Sequence, residues 1–174
     1  HTTPEARGLS ITFTIKPKID MGYPIGGEEV VVGQNCQIQW NPHGTVGTLD
    51  ITYSNNSGLN WTPITNASNL SGTNYNWTVP DDMVVNKARL NVNSEVYTDT
   101  SATSGNFSIR GDINVTQPST AQNVFAASGD TPIRWNYQGS KIDKVNIQYS
   151  TDDGLNWTTI ENNVTVTQNG TYLW

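Results

Sequence analysis

The chain is similar to itself at a fixed distance. Tyr53-Ser54-Asn55-Asn56-Ser57-Gly58-Leu59-Asn60-Trp61-Thr62 returns 96 residues later as Tyr149-Ser150-Thr151-Asp152-Asp153-Gly154-Leu155-Asn156-Trp157-Thr158. A period of that length means one folding unit used more than once, and it restricts the chain to array-like architectures. The functional question then concerns a string of modules rather than one active site.

The match runs well beyond this hairpin. Ile38-Gln39-Trp40 aligns with Ile133-Arg134-Trp135, and Ile51-Thr52-Tyr53-Ser54 with Ile147-Gln148-Tyr149-Ser150. Tyr75-Asn76-Trp77 aligns with Tyr172-Leu173-Trp174, and Ile19-Asp20-Met21 with Ile113-Asn114-Val115, so the offset drifts from 94 to 97 as loops change length. Phe13-Thr14-Ile15-Lys16 resembles Phe107-Ser108-Ile109-Arg110, while Trp174 is the counterpart of Trp77. This alignment predicts three parts. Residues 1–17 are the last strand of a preceding repeat and its linker, 18–110 a complete repeat, and 111–174 a second repeat without an equivalent of 78–109. It predicts a window cut from a longer array or, alternatively, strands supplied by a neighbouring subunit.

No stretch carries a 3.6-residue apolar period. Short alternating runs separated by Gly, Asn, Pro and Asp predict strands near 11–16, 18–22, 28–32, 35–40, 48–54, 60–64, 75–79, 87–93 and 105–110. Period 2 turns Ile38, Trp40, Ile51, Tyr53, Trp61, Trp77, Leu90, Val92, Phe107 and Ile109 inward. The lone cysteine, Cys36, shares a face with Ile38 and Trp40 and reads as a small core residue. The expected fold class is all-β, an antiparallel sandwich of about seven strands per repeat with Greek-key connections.

Ile-x-Trp, Ile-x-Tyr-Ser, a Gly-turn-Trp hairpin, Trp77-Thr78-Val79-Pro80, Ala88-Arg89-Leu90-Asn91-Val92 and Asn106-Phe107-Ser108-Ile109 follow one another in order. In that order they resemble the immunoglobulin-like or fibronectin type III-like modules of large microbial surface and secreted proteins. Trp40-Asn41-Pro42 is similar to the Trp near the end of the second strand of fibronectin type III domains, and residues 88–92 resemble the penultimate strand. The resemblance covers nearly the whole chain. It implies a sandwich and a spacer, stalk or adhesive role, and no catalysis.

Ser150-x-Asp152-x-Gly154-x-x-Trp157 resembles the Asp-box of sialidase propellers, and Ser54, Asn56, Gly58 and Trp61 form a second copy with Asn in the Asp position. Physically this is a hairpin device: the Asp or Asn satisfies turn amides, Gly takes positive φ, and Trp anchors the turn. A propeller needs blades of roughly 40–50 residues, yet the mid-repeat Ser101-Ala102-Thr103-Ser104-Gly105 lacks both Asp and Trp. The four arginines, Arg7, Arg89, Arg110 and Arg134, sit in unrelated contexts. A structural hairpin is therefore expected, not a sialidase site.

Ten Asn-x-Ser/Thr sequons occur, at Asn55, Asn60, Asn66, Asn69, Asn76, Asn106, Asn114, Asn156, Asn163 and Asn169. With 21 Asn in the chain, chance would give about four. In Asn60-Trp61-Thr62, Asn76-Trp77-Thr78, Asn106-Phe107-Ser108, Asn114-Val115-Thr116 and Asn156-Trp157-Thr158 the alternation predicts an inward middle residue and outward sequon residues. They are candidate N-glycosylation sites; exposed Asn- and Thr-rich strands are the plainer explanation. Arg110-Gly111-Asp112 is an integrin-type tripeptide at the repeat junction, where Gly111 is expected to let the chain turn. Asp81, Asp82, Asp99 and Asp112 are candidate Ca²⁺ ligands without the spacing of a calcium loop. His1 and His43 form no metal-ligand pair, and no Ser-His-Asp, Cys-His or paired-carboxylate pattern stands out.

A net charge of -6 gives nucleic-acid binding no electrostatic basis. No apolar run is long enough to insert in a membrane. The function expected is that of a non-enzymatic extracellular array, a stalk, surface layer or filament segment with no cofactor, whose partners are neighbouring repeats or identical subunits. The alternative is an accessory carbohydrate- or surface-binding module of a secreted hydrolase. It is disfavoured because Trp40, Trp61, Trp77, Trp135, Trp157 and Trp174 all fall at repeated core positions, leaving none for a binding face.

Overall fold

Alternation is clear in the two longest strands of the computed structural model, which describes residues 8–119, 131–167 and 170–174. In β3 (Asn35–His43), Cys36, Ile38 and Trp40 are buried while the glutamines between them are exposed. In β7 (Val85–Ser94), Ala88, Leu90, Val92 and Ser94 point inward. Among the described residues all regular structure is β; there is no helix, and so none long and apolar enough to cross a membrane.

Residues 18–110 form two sheets around one core. The first holds β1 (Lys18–Tyr23), β3 and β6 (Asn74–Thr78), in the order β1-β3-β6, all antiparallel. The second holds β2 (Glu29–Val31), β9 (Phe107–Arg110), β7, β4 (Leu49–Ser54) and β5 (Thr62–Pro63), in the order β2-β9-β7-β4-β5. β8 (Ser101–Thr103) pairs with β7 off that path. Twenty buried side chains from both sheets and the segments between their strands form the core, Trp40, Ile38, Leu90 and Phe107 among the most buried. Cys36 belongs to it, and burial pushes its thiol up to about 11, so it stays protonated and unreactive at neutral pH.

Two expectations about strands need correction. The sandwich is not wholly antiparallel, because β2 runs parallel to β9. Residues 24–28 carry the chain across from the first sheet to the second instead of back along the first. The strand expected at 11–16 is absent, since residues 8–17 have no regular structure and nothing pairs alongside them. Its apolar alternation is real, but a strand needs a neighbouring edge to satisfy its amides.

The second half repeats part of this plan. β10 (Asp112–Gln117), β11 (Pro132–Gln138) and β14 (Gly170–Leu173) form a sheet in that order, and β12 (Lys144–Tyr149) pairs with β13 (Thr158–Thr165) in a two-stranded ribbon. Val115 opposes Trp135 as Met21 opposes Trp40, and each pairing shifts register immediately afterwards. The core is far thinner. Ile133, Trp135 and Ile147 are buried, with Tyr137, Val145, Ile160, Val164 and Tyr172 partly covered around them. The described residues of this half supply no counterpart of β7, β8 or β9.

Candidate functional site

The two Gly-turn-Trp hairpins have the same internal chemistry. Ser54 Oγ accepts the Gly58 N–H at 2.8 Å and donates to Asn56 Oδ1 at 2.8 Å, which in turn accepts the Asn60 N–H at 3.0 Å. Ser150 Oγ accepts the Gly154 N–H at 2.9 Å and donates to Asp152 Oδ1 at 2.7 Å; that oxygen accepts the Asn156 N–H at 2.9 Å. Each turn closes through two left-handed residues, Ser57 (φ +61°) with Gly58 (+91°) and Asp153 (+53°) with Gly154 (+86°). The second hairpin has one bond more, from Asn156 Nδ2 to Asp152 Oδ2 at 2.6 Å. These donors, Asn156 first, hold the Asp152 carboxyl down to about 2.

The tryptophans of these hairpins are not core residues. Trp61 is half-buried and Trp157 exposed, each with its ring beside the turn glycine. A Cβ on Gly58 would stand 3.3 Å from Trp61 Cζ2, and one on Gly154 3.4 Å from Trp157 Cζ2. Each ring covers the turn that precedes it, and neither belongs to a buried core cluster. Tyr53 is likewise only half-buried, stacked on Trp77 at 5.7 Å between centroids. Trp174, the counterpart of Trp77, is half exposed and lies 5.1 Å from the Tyr149 ring. The expectation that all six tryptophans are core residues is therefore overturned: Trp40, Trp77 and Trp135 are buried, while Trp157 and Trp174 are available at the surface.

Nine of the ten sequon asparagines, Asn55, Asn60, Asn66, Asn69, Asn76, Asn106, Asn114, Asn156 and Asn163, are exposed; Asn169 lies outside the described residues. The inward middle residue holds for Trp77 and Phe107. It fails for Val115 and Trp157, which are more than half exposed.

The junction between the halves is a single residue, since β9 ends at Arg110 and β10 begins at Asp112. Gly111 is needed there for its missing side chain, not for a turn. A Cβ would lie 2.3 Å from Ile142 Cδ1 and 2.8 Å from the Gln138 carbonyl oxygen. Arg110 lies 3.4 Å from the Glu29 carboxylate of the neighbouring strand β2, an exposed ion pair within the first half. Across it, the Asp81 carboxylate accepts the N–H groups of Gly139 (2.9 Å) and Ser140 (3.0 Å). Asp99 pairs with Lys16. Two of the four candidate Ca²⁺ ligands are thus committed elsewhere, and no group of three or more His, Cys, Asp or Glu side chains converges among the described residues. His43 reaches Asp20 at 2.9 Å on the surface; His1 lies outside the described residues.

One apolar concavity was not foreseen from the sequence. A groove of about 390 Å³ opens between the β10-β11-β14 sheet and the β12-β13 ribbon, with Ile133, Trp135, Val145 and Ile147 on its floor and Val115, Trp157 and Trp174 at its mouth. In the first half the corresponding space is filled by Leu90, Val92, Phe107 and Ile109. No protein-family model and no curated protein matches the chain.

Proposed function

We propose that this chain is a segment of an extracellular array of tandem immunoglobulin-like sandwiches, working as a stalk, surface layer or filament. The junction carries the reading. One residue joins β9 to β10, a side chain at that residue would collide with its neighbours, and Asp81 clamps the next module through two backbone amides. Such a joint limits the angles between modules, which is what a load-bearing rod requires and a free linker does not supply. The exposed sequon asparagines support glycosylated, protease-resistant faces. Electron microscopy of the native material tests the reading: filaments, a lattice or rods are expected, and isolated globular particles refute it.

A second reading has one observation in its favour. Trp157 and Trp174, with Tyr149 beside them, offer exposed rings on which a sugar could stack. Titration with soluble oligosaccharides, followed by tryptophan fluorescence, tests it; an unchanged spectrum at millimolar sugar refutes it.

A further inference from the structure

We propose that the cleft between β5 and β6 of the first half is a binding site for a neutral saccharide, an assignment that stands apart from the array reading. Every residue that lines it lies between Tyr53 and Pro80, inside the complete sandwich. β5 is the last strand of the second sheet and β6 the last of the first, so the cleft opens where the two sheets end. Its volume is about 430 Å³, within the range of small-molecule sites.

The sequence keeps this side of the sandwich open. Pro63 has no N–H with which to extend a ladder, and β5 stops there after pairing Tyr53 with Thr62 and Thr52 with Pro63. The chain then turns through Ile64-Thr65-Asn66-Ala67, closed by the Ala67 N–H on the Ile64 carbonyl oxygen at 3.1 Å. The Ile64 N–H on the Ile51 carbonyl oxygen (3.0 Å) and the Ile51 N–H on that of Ala67 (2.9 Å) fix this turn to β4. From β6, the Tyr75 hydroxyl donates to the Thr65 carbonyl oxygen at 3.1 Å. Backbone and ring thus frame the cleft in advance, which lowers the ordering cost of binding.

Three properties select a saccharide. The first is aromatic surface: Tyr53 stacks on Trp77 at 5.7 Å between centroids, and both Tyr53 and Tyr75 are half-buried rather than sealed in the core. Such rings offer an apolar face to sugar C–H groups. The second is uncommitted polarity. Thr62, Thr65, Asn66 and Asn76 are exposed, and neither their side chains nor the Tyr53 hydroxyl make a hydrogen bond among the described residues. Amides and hydroxyls together both donate and accept, as sugar hydroxyls do. In the neighbouring hairpin, by contrast, the Asn56 side chain is taken up in closing its own turn. The third is neutrality: no lining residue carries a formal charge, so a phosphate, carboxylate or amine would meet no counter-ion. Asn66 also occupies a left-handed position, φ +63°, where glycine fits with less strain; asparagine adds an amide facing the cleft's ligand.

Asn66 and Asn76 are sequon residues, so the sugar has two sources, another molecule or a glycan of this chain. NMR titration of the unglycosylated, ¹⁵N-labelled 174-residue chain with glucose, N-acetylglucosamine, cellobiose and diacetylchitobiose tests the site. At least one of them should shift the amides of 62–66 and 75–78, with a Kd of about 1 mM or tighter. Tyr53→Phe, Asn66→Gly and Asn76→Ala each remove one polar group and should weaken binding about 3- to 10-fold. Asn66→Gly retains the left-handed turn and Tyr53→Phe the stack on Trp77, so circular dichroism should remain unchanged. No shift in either segment with any of the four sugars overturns the proposal, as does an affinity indifferent to all three substitutions. Shifts confined to Tyr149, Trp157 and Trp174, and lost in Trp157→Ala, overturn it in favour of the exposed rings of the second half. In native material, binding that emerges only after enzymatic removal of N-glycans assigns the cleft to the chain's own glycan. Binding indifferent to that removal assigns it to a saccharide of another molecule.

Discussion

Replacing Trp40 and Trp61 separately by Ala tests which aromatic residues hold the first core. Trp40 is 1% exposed in the middle of β3. Its removal leaves an indole-sized void between two sheets that cannot both collapse onto it, and Trp→Ala in such a site costs about 3–5 kcal/mol. One term offsets this. The Trp40 Nε1–H is buried without a partner among the described residues, a defect that already costs about 1–3 kcal/mol and disappears with the ring. The expected loss is therefore near the lower bound, about 3 kcal/mol. Trp61 is half-buried on Gly58, and the Ser54 and Asn56 hydrogen bonds that close the turn do not involve it. Partial burial of its ring sets a loss of about 1–2 kcal/mol. Urea unfolding followed by far-UV circular dichroism and extrapolated to water gives both values. Trp40→Phe provides the control: it keeps most of the filling and removes the orphan donor, so the loss should stay below about 1.5 kcal/mol. A Trp61→Ala loss equal to or above that of Trp40→Ala would refute the assignment.

The Asp152 carboxyl should titrate at about 2 in a ¹³C-detected NMR experiment. Because its folded value lies below the usual 3.8, its contribution is present above that pH and fades as pH falls toward 2. Asp152→Asn should abolish this dependence while preserving the hairpin, as Asn56 does in the first copy; a hairpin lost at neutral pH contradicts the reading. Asp81→Ala should widen the distribution of inter-module angles seen by small-angle scattering and move the melting of the first core by less than about 1 kcal/mol; an unchanged scattering profile counts against the clamp. Gly111→Val should disrupt the junction more severely, through contact with Ile142 and the Gln138 carbonyl. Intact mass before and after deglycosylation reads the sequons. A drop in mass is expected, and an unchanged mass refutes the glycosylated faces.

Local chemistry was legible in the chain because it operates over a few residues. Period 2 located most strands and put Ile38, Trp40, Leu90 and Phe107 inside, where they lie. The Ser-x-Asp/Asn-x-Gly spacing described a turn whose bonds all close within four residues. What the chain could not state alone is what covers a given face. Alternation grouped Trp61 and Trp157 with Trp40, yet only Trp40 lies between two sheets, since the hairpin rings fold back over their own turns. It marked 11–16 as a strand without providing an edge for it to join. The passage of β2 to the second sheet, and the grip of Asp81 on residues 58 and 59 positions away, depend on how distant segments meet. The groove depends on it most of all. Its lining residues all read as core by pattern, yet Ile133, Trp135 and Ile147 are buried while Val115 and Trp157 are exposed, because burial is a property of the neighbour as much as of the side chain.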